Sequence, residues 1–143
     1  MSKKVEELGF IKPDLFKISV RALIQDGDKV LLAKEDYEGV WETPGGKLKE
    51  GESVFDCLKR EVKEETGYEA FPEGILDFVV GRKPGYNVSH LHLIFKCRLN
   101  YEKKAKVKEG VKTKWFTLKE LKKMIEDCQT DWHDEKVFTQ ILK

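Results

Sequence analysis

The chain has 143 residues, of which 40% are hydrophobic and 37% charged; its 27 Lys and Arg against 26 Asp and Glu leave a net charge of +1. That length fits one domain, residues 1–143, with enough apolar content for a core, while the balanced charge excess means a heavily solvated surface and argues against an acidic tail or a basic nucleic-acid arm. No apolar run approaches the roughly 18 residues of a membrane span, the opening Met1-Ser2-Lys3-Lys4-Val5-Glu6-Glu7 turns acidic where a secretory signal becomes apolar, and Cys57, Cys97 and Cys128 are too few and too scattered for a disulfide framework or zinc cluster; these absences point to a reduced, cytoplasmic protein.

In chain order, Leu15 to Ile24 is rich in strand formers, Gln25-Asp26-Gly27-Asp28 supplies turn chemistry, and Lys29 to Ala33 resumes as strand, which predicts a hairpin. Trp41-Glu42-Thr43-Pro44-Gly45-Gly46 reads as a break, because Pro44 lacks a donor and restricts Thr43. Ser53 caps a helix over about 53–66, ended by Gly67. Gly74 to Arg82 and His90 to Leu99 are predicted strands joined through Pro84-Gly85, and Lys112 to Phe116 is a short strand. Thr117 caps a helix from Leu118 to about Asp127, and a last helix covers His133 to Leu142. This order predicts an α/β fold with a mixed sheet covered by helices.

The helix 53–66 carries the chemistry. At roughly 100° per residue, Glu64 falls near −60° and Glu65 near +40° from Glu61. The three carboxylates form one stripe, beside the apolar face of Val54, Leu58 and Val62. Asp56, Lys59 and Lys63 point toward solvent, and Cys57 is a small filler beside the acidic stripe. Clustered carboxylates at a core edge repel one another unless a cation joins them. Their hard oxygens suit Mg²⁺ or Mn²⁺, and Arg60 is placed to hold one of them through its fork of donors. The alternative is a solvated Glu- and Lys-rich face. The Pro-Gly-Gly turn just before favours the metal reading, since it brings backbone carbonyls near the stripe.

Gly46, Glu52, Arg60, Glu61, Val62, Glu64, Glu65, Gly67 and Tyr68 resemble the Nudix box, with every polar and glycine position matched. Tyr68 departs, being aromatic where an aliphatic residue is usual. The resemblance implies an α/β/α sandwich with a mixed central sheet. It also implies divalent-metal-dependent hydrolysis of the pyrophosphate bond in a nucleoside diphosphate linked to another group. It makes Glu61, Glu64 and Glu65 the metal-binding carboxylates, Glu61 a base toward water, the Gly45 carbonyl a backbone ligand and Arg60 the orienting arginine. Gly46, Glu52 and Gly67 take structural roles. Glu109, before the Trp115 strand, is the candidate for a further acid from a late loop, with Glu102 its rival.

Other residues have ordinary alternatives beside functional ones. Arg21 and Lys34 are candidates to bind substrate phosphate, or are surface strand charges. Trp41, Phe16 and Tyr86 are candidates to stack on a base, or pack semi-exposed. His90 and His92 share a strand face and are candidates for a metal pair or a proton shuttle, or are ordinary strand residues near the cleft, the reading preferred. His133 reads as a cap or packing residue. For substrate, Pro84 and Tyr86 match weak markers of the ADP-ribose and dinucleoside polyphosphate branches respectively, so they cancel. The short chain and the Lys108-Glu109-Gly110 loop lean toward nucleoside triphosphates. Two other functions stay open: a non-catalytic nucleotide-binding module on the same fold, and a 5′-end RNA pyrophosphohydrolase using a lysine track from Lys103 to Lys114. A homodimer is open as well, with Met1 to Asp14 as a contributing segment.

Overall fold

The computed structural model describes residues 14–35 and 39–143. The segment suggested for self-association therefore lies, Asp14 apart, outside the described residues. Three helices and six strands follow in the order β1 (Phe16–Asp26), β2 (Lys29–Glu35), β3 (Gly45–Lys47), α1 (Val54–Thr66), β4 (Glu69–Gly81), β5 (Ser89–Asn100), β6 (Val111–Thr117), α2 (Leu118–Glu126) and α3 (Trp132–Ile141) among the described residues. None of these helices is long and apolar enough to cross a membrane.

The strands form one mixed sheet in the order β4-β5-β1-β2-β6, with β3 paired to β1 off that path. β1 runs parallel to β5, from Phe16 opposite Ser89 to Ile24 opposite Cys97; the other pairings are antiparallel. As the centre of the sheet, β1 is buried on both faces. Val20, Ala22 and Ile24 meet Cys57, Leu58 and Val62 of α1. On the other face Leu23 meets Leu121 and Met124 of α2 and Val137 and Phe138 of α3. Period-two alternation thus supplies two cores from one strand. Each fully buried large apolar side chain contributes about 1.5–3 kcal/mol, which fixes α1 on one side of the sheet and α2 and α3 on the other.

The site arises where the sheet splits. β1 and β2 pair only at their hairpin end, Gln25 with Val30 and Asp26 with Lys29. Beyond that point they diverge, and residues 42–47 enter the fork. Glu42 bonds the backbone of Ala33, the Ala22 amide donates to Pro44 O at 2.8 Å, and Gly45 to Lys47 pair with Arg21 to Ser19. The expected break at 41–46 is therefore partly a strand. Its pairing partner lies some 25 residues away, which local patterning does not reveal. β4 starts at Glu69 and not at Gly74, because register shifts around Pro72–Gly74 and Ile75–Asp77 let an apparently broken stretch stay paired.

Helix ends follow the expected chemistry. Ser53 accepts the Asp56 amide, and Thr117 and Glu120 form a capping box. Gly67 adopts φ +82° at the end of α1, where a side chain would strike Ala105 O at 2.6 Å. α3 begins one residue earlier than expected, and Asp131 is its cap. His133 is accordingly a packing residue and not the cap.

Candidate active site

A cleft of about 410 Å³ opens at the fork, lined by Glu61 and Glu65 of α1, by Gly45 and Gly46, and by Arg21 and Lys34 of the hairpin. The acidic stripe is real, but its members differ. Glu65 is buried and accepts the Gly45 amide at 2.9 Å. Burial pushes its carboxyl up to about 8, against the pull of that amide and of Arg21. Glu61 accepts Arg60 NH1 at 2.8 Å, and Glu64 lies 3.6 Å from the same nitrogen. Glu64 is the most exposed of the three and stands outside the cleft lining.

Arg60 is the hub of the motif. Its Nε and NH2 donate to the two oxygens of Glu52 at 3.0 and 2.8 Å, while NH1 holds Glu61. Glu52 also accepts the Lys49 amide at 3.0 Å. The Arg60 bonds, chiefly, hold its carboxyl down at about 2. The loop before α1 is thereby fastened to the helix face bearing the carboxylates. Cys57 is buried and burial pushes its thiol up to about 12, in keeping with a filler.

Arg21 is a buried clamp: NH1 donates to Thr43 O at 2.8 Å and Nε to His92 Nδ1 at 3.3 Å, and NH2 lies 3.7 Å from Glu42. Lys34 also faces the cleft and sits 5.7 Å over the Trp41 ring. Trp41 itself packs edge-on against Phe116. Tyr86 is exposed at the cleft, whereas Phe16 borders a separate shallow pocket. Glu109 and Glu102 are exposed, and neither lines the cleft. Lys108, next to Glu109, does line it and donates its amide to Glu64 O at 2.6 Å. Of the lysines proposed as an RNA track, Lys108 reaches the cleft, while Lys104 and Lys114 lie over Tyr68 and Phe116.

A second set of cleft residues carries roles that sequence reasoning did not assign, although it placed His90 and His92 near the cleft. Lys17, Lys47 and Lys83 line it, each from a different element or loop. His90, His92 and His133 stack face to face at 4.2 and 4.0 Å. Burial pushes His92 down to about 2 and His133 down to about 3, so the stack is neutral. Asp134 is fully buried and accepts both the Thr43 hydroxyl at 2.6 Å and the Thr43 amide at 2.8 Å. The shared face of His90 and His92 was the only signal in the sequence for this group.

The model of the NUDIX domain matches residues 15–138. Among curated proteins, the chain is 44% identical over 61 residues to an uncharacterised Nudix hydrolase, YvcI, of Bacillus subtilis (strain 168), covering 41% of this chain and 39% of that protein. It is 37% identical over 83 residues to an 8-oxo-dGTP diphosphatase of Buchnera aphidicola subsp. Schizaphis graminum (strain Sg), covering 58% of this chain and 60% of that protein. The chain thus spans less than two thirds of the length of either relative. Among solved structures, a NUDIX hydrolase from Nitrosomonas europaea superposes with a TM-score of 0.72 at 24% identity, over 87% of this chain and 86% of that one. With a match across most of its length and the box glutamates set around the forked sheet, the chain belongs to the Nudix family.

Proposed function

We propose that the chain is a Nudix hydrolase that cleaves a phosphoric anhydride bond in a nucleoside diphosphate linked to another group, with nucleoside triphosphates slightly favoured over ADP-ribose and dinucleoside polyphosphates. The observation that carries this reading is the composition of one cleft. Glu61 and Glu65 line it together with Lys17, Lys47, Lys83 and Lys108. Carboxylates suit a hard divalent cation, and ammonium groups suit the oxygens of a polyphosphate. The diphosphatase name of the Buchnera relative supports the triphosphate preference.

The residues fit Mg²⁺ or Mn²⁺. Glu65 is a buried carboxyl whose ionised form needs a cation beside it, and Gly46 leaves room at the carboxyl of Glu61 that a side chain would fill. Glu61, Glu64, Glu65 and the Gly45 carbonyl form the proposed ligand set; Glu109, exposed outside the cleft lining beside Lys108, joins it only if its loop turns inward. When bound, the cation neutralises phosphate charge and makes water more acidic. Glu61 then takes the proton of the attacking water while Arg60 fixes its carboxylate. Glu52 holds Arg60, and the cleft lysines orient the phosphates for in-line attack.

The test is product release with Mg²⁺ or Mn²⁺ from nucleoside triphosphates, ADP-ribose, dinucleoside polyphosphates and 5′-triphosphate RNA. Glu64→Gln and Glu65→Gln are expected to lower kcat at least about 100-fold in folded protein. Unchanged turnover in both variants would sink the assignment. Tight nucleotide binding without product from any substrate would instead indicate a sensing module.

A further inference from the structure

Glu42, Asp131 and His133 each bring one ligand atom within 4.8 Å of the others. All three line the cleft, yet none belongs to the box or to α1. Glu42 lies between β2 and β3, Asp131 caps α3, and His133 sits in the first turn of α3.

His133 is the informative member. It is 2% exposed, and neither ring nitrogen has a hydrogen-bond partner. Its Nδ1 faces Asp131 Oδ1 at 3.7 Å and its Nε2 faces Asp134 Oδ1 at 3.5 Å, both too long for a hydrogen bond. Asp134 is pinned by Thr43. A proton on Nε2 therefore aims at a fixed carboxylate, and the Nδ1 lone pair turns toward Asp131. A small shift that closed the 3.5 Å gap would let Asp134 set the tautomer, as a carboxylate behind a ligating imidazole does. Donors about 2.1 Å from a tetrahedral ion lie roughly 3.4 Å apart, so the three groups, within 4.8 Å of one another, draw together by about an ångström or less to hold one.

Two cations already stand near. Arg21 reaches Glu42 at 3.7 Å but gives its hydrogen bonds to Thr43 O and His92. Lys83, half exposed, reaches Asp131 at 3.2 Å from the cleft side.

We propose that Glu42, Asp131 and His133 form a transition-metal site separate from the glutamates of the box. One imidazole and two carboxylates are the donor set of Zn²⁺ or Co²⁺ more than of Mg²⁺. An ion there ties the segment that leads into the box to the first turn of α3, across the mouth of the fork.

Co²⁺ is the probe, in a chain carrying Cys128→Ser, which removes an exposed thiol. Glu61→Gln, Glu64→Gln and Glu65→Gln in the same chain remove the box carboxylates, so the outcome does not depend on the hydrolase reading. One equivalent of Co²⁺ is expected to bind with a visible d–d band, to be displaced by Zn²⁺ and to raise the Tm. Adding Glu42→Gln or Asp131→Asn is expected to weaken binding at least tenfold and remove the band. The same band is expected from the Cys128→Ser chain with its box intact in excess Mg²⁺, which decides the matter if the box variant fails to fold. Absence of saturable binding, or a band unchanged by Glu42→Gln in folded protein, overturns the proposal.

Discussion

Gly46 stands directly against the carboxyl group of Glu61: a Cβ at Gly46 would lie 2.5 Å from Glu61 Oε1. Gly46→Ala must therefore displace the carboxylate, although the backbone itself tolerates alanine there. Turnover is expected to fall about 100-fold, the scale for a misplacement near 1 Å. Steady-state kinetics in saturating Mg²⁺, with circular dichroism to show an intact fold, checks this. Wild-type kcat would show that the Glu61 carboxylate has freedom to spare.

Stability of the metal-free chain should be level from about pH 4.5 to 6.5 and fall on either side. Glu65 and Glu42 have folded pKa values near 8, raised from 4.5 chiefly by burial. The stability they lend is complete below about 4.5 and is lost as pH rises through 8. His92 and His133 are pushed from 6.5 down to about 2 and about 3. The unfolded chain takes up their protons first, so the stability they lend is lost as pH falls below about 6.5, which offsets the gain from the two carboxyls until about pH 4.5. Thermal melts in EDTA from about pH 3.5 to 9 test both limbs. Glu65→Gln should flatten the alkaline limb and make stability fall already below about pH 6.5, and an unchanged alkaline limb would refute the role of Glu65.

Arg60→Lys keeps the charge and loses the fork that grips Glu52 and Glu61 together. A loss of about 1–2 kcal/mol in urea unfolding is expected, with kcat lowered at least about tenfold. Activity equal to wild type would mean that charge alone matters at this position.

Asp134→Ala leaves the hydroxyl and amide of Thr43 without their acceptor inside the core. The expected cost is about 2–5 kcal/mol, the scale for two buried neutral groups left without a partner. Thr43→Val removes only the hydroxyl bond and should cost about 1–2 kcal/mol. Chemical denaturation of both variants and of the double variant measures the coupling. Strict additivity would show that the two residues do not act as a pair.

Much of the site was legible because it is local. The stripe of Glu61, Glu64 and Glu65 follows from helical periodicity, and the ends of α1 follow from Ser53 and Gly67. The family resemblance assigned Glu52 a structural role and made Arg60 the orienting arginine, but their pairing with each other emerges only in the fold. What the residues alone hid is non-local. Thr43 meets Asp134, Arg21 meets His92, and His92 stacks on His133 only after the sheet has formed. β3 was hidden by its length, and the start of β4 by Pro72 and Gly74. Lys17 and Lys83 carry no local mark of a cleft, and Lys47, although inside the box segment, stands at a position the box leaves undefined.

The parallel pairing of β1 with β5 has a kinetic consequence. Phe16 sits opposite Ser89, so the first strand made waits for a partner about seventy residues downstream. At about 5–20 residues per second on a ribosome, that is several seconds or more with an apolar central strand lacking its main neighbour. The β1–β2 hairpin forms sooner but joins the two strands only at its tip. Refolding should therefore be slow for a chain of this size, and nascent chains stopped before β5 should depend on chaperones to stay soluble.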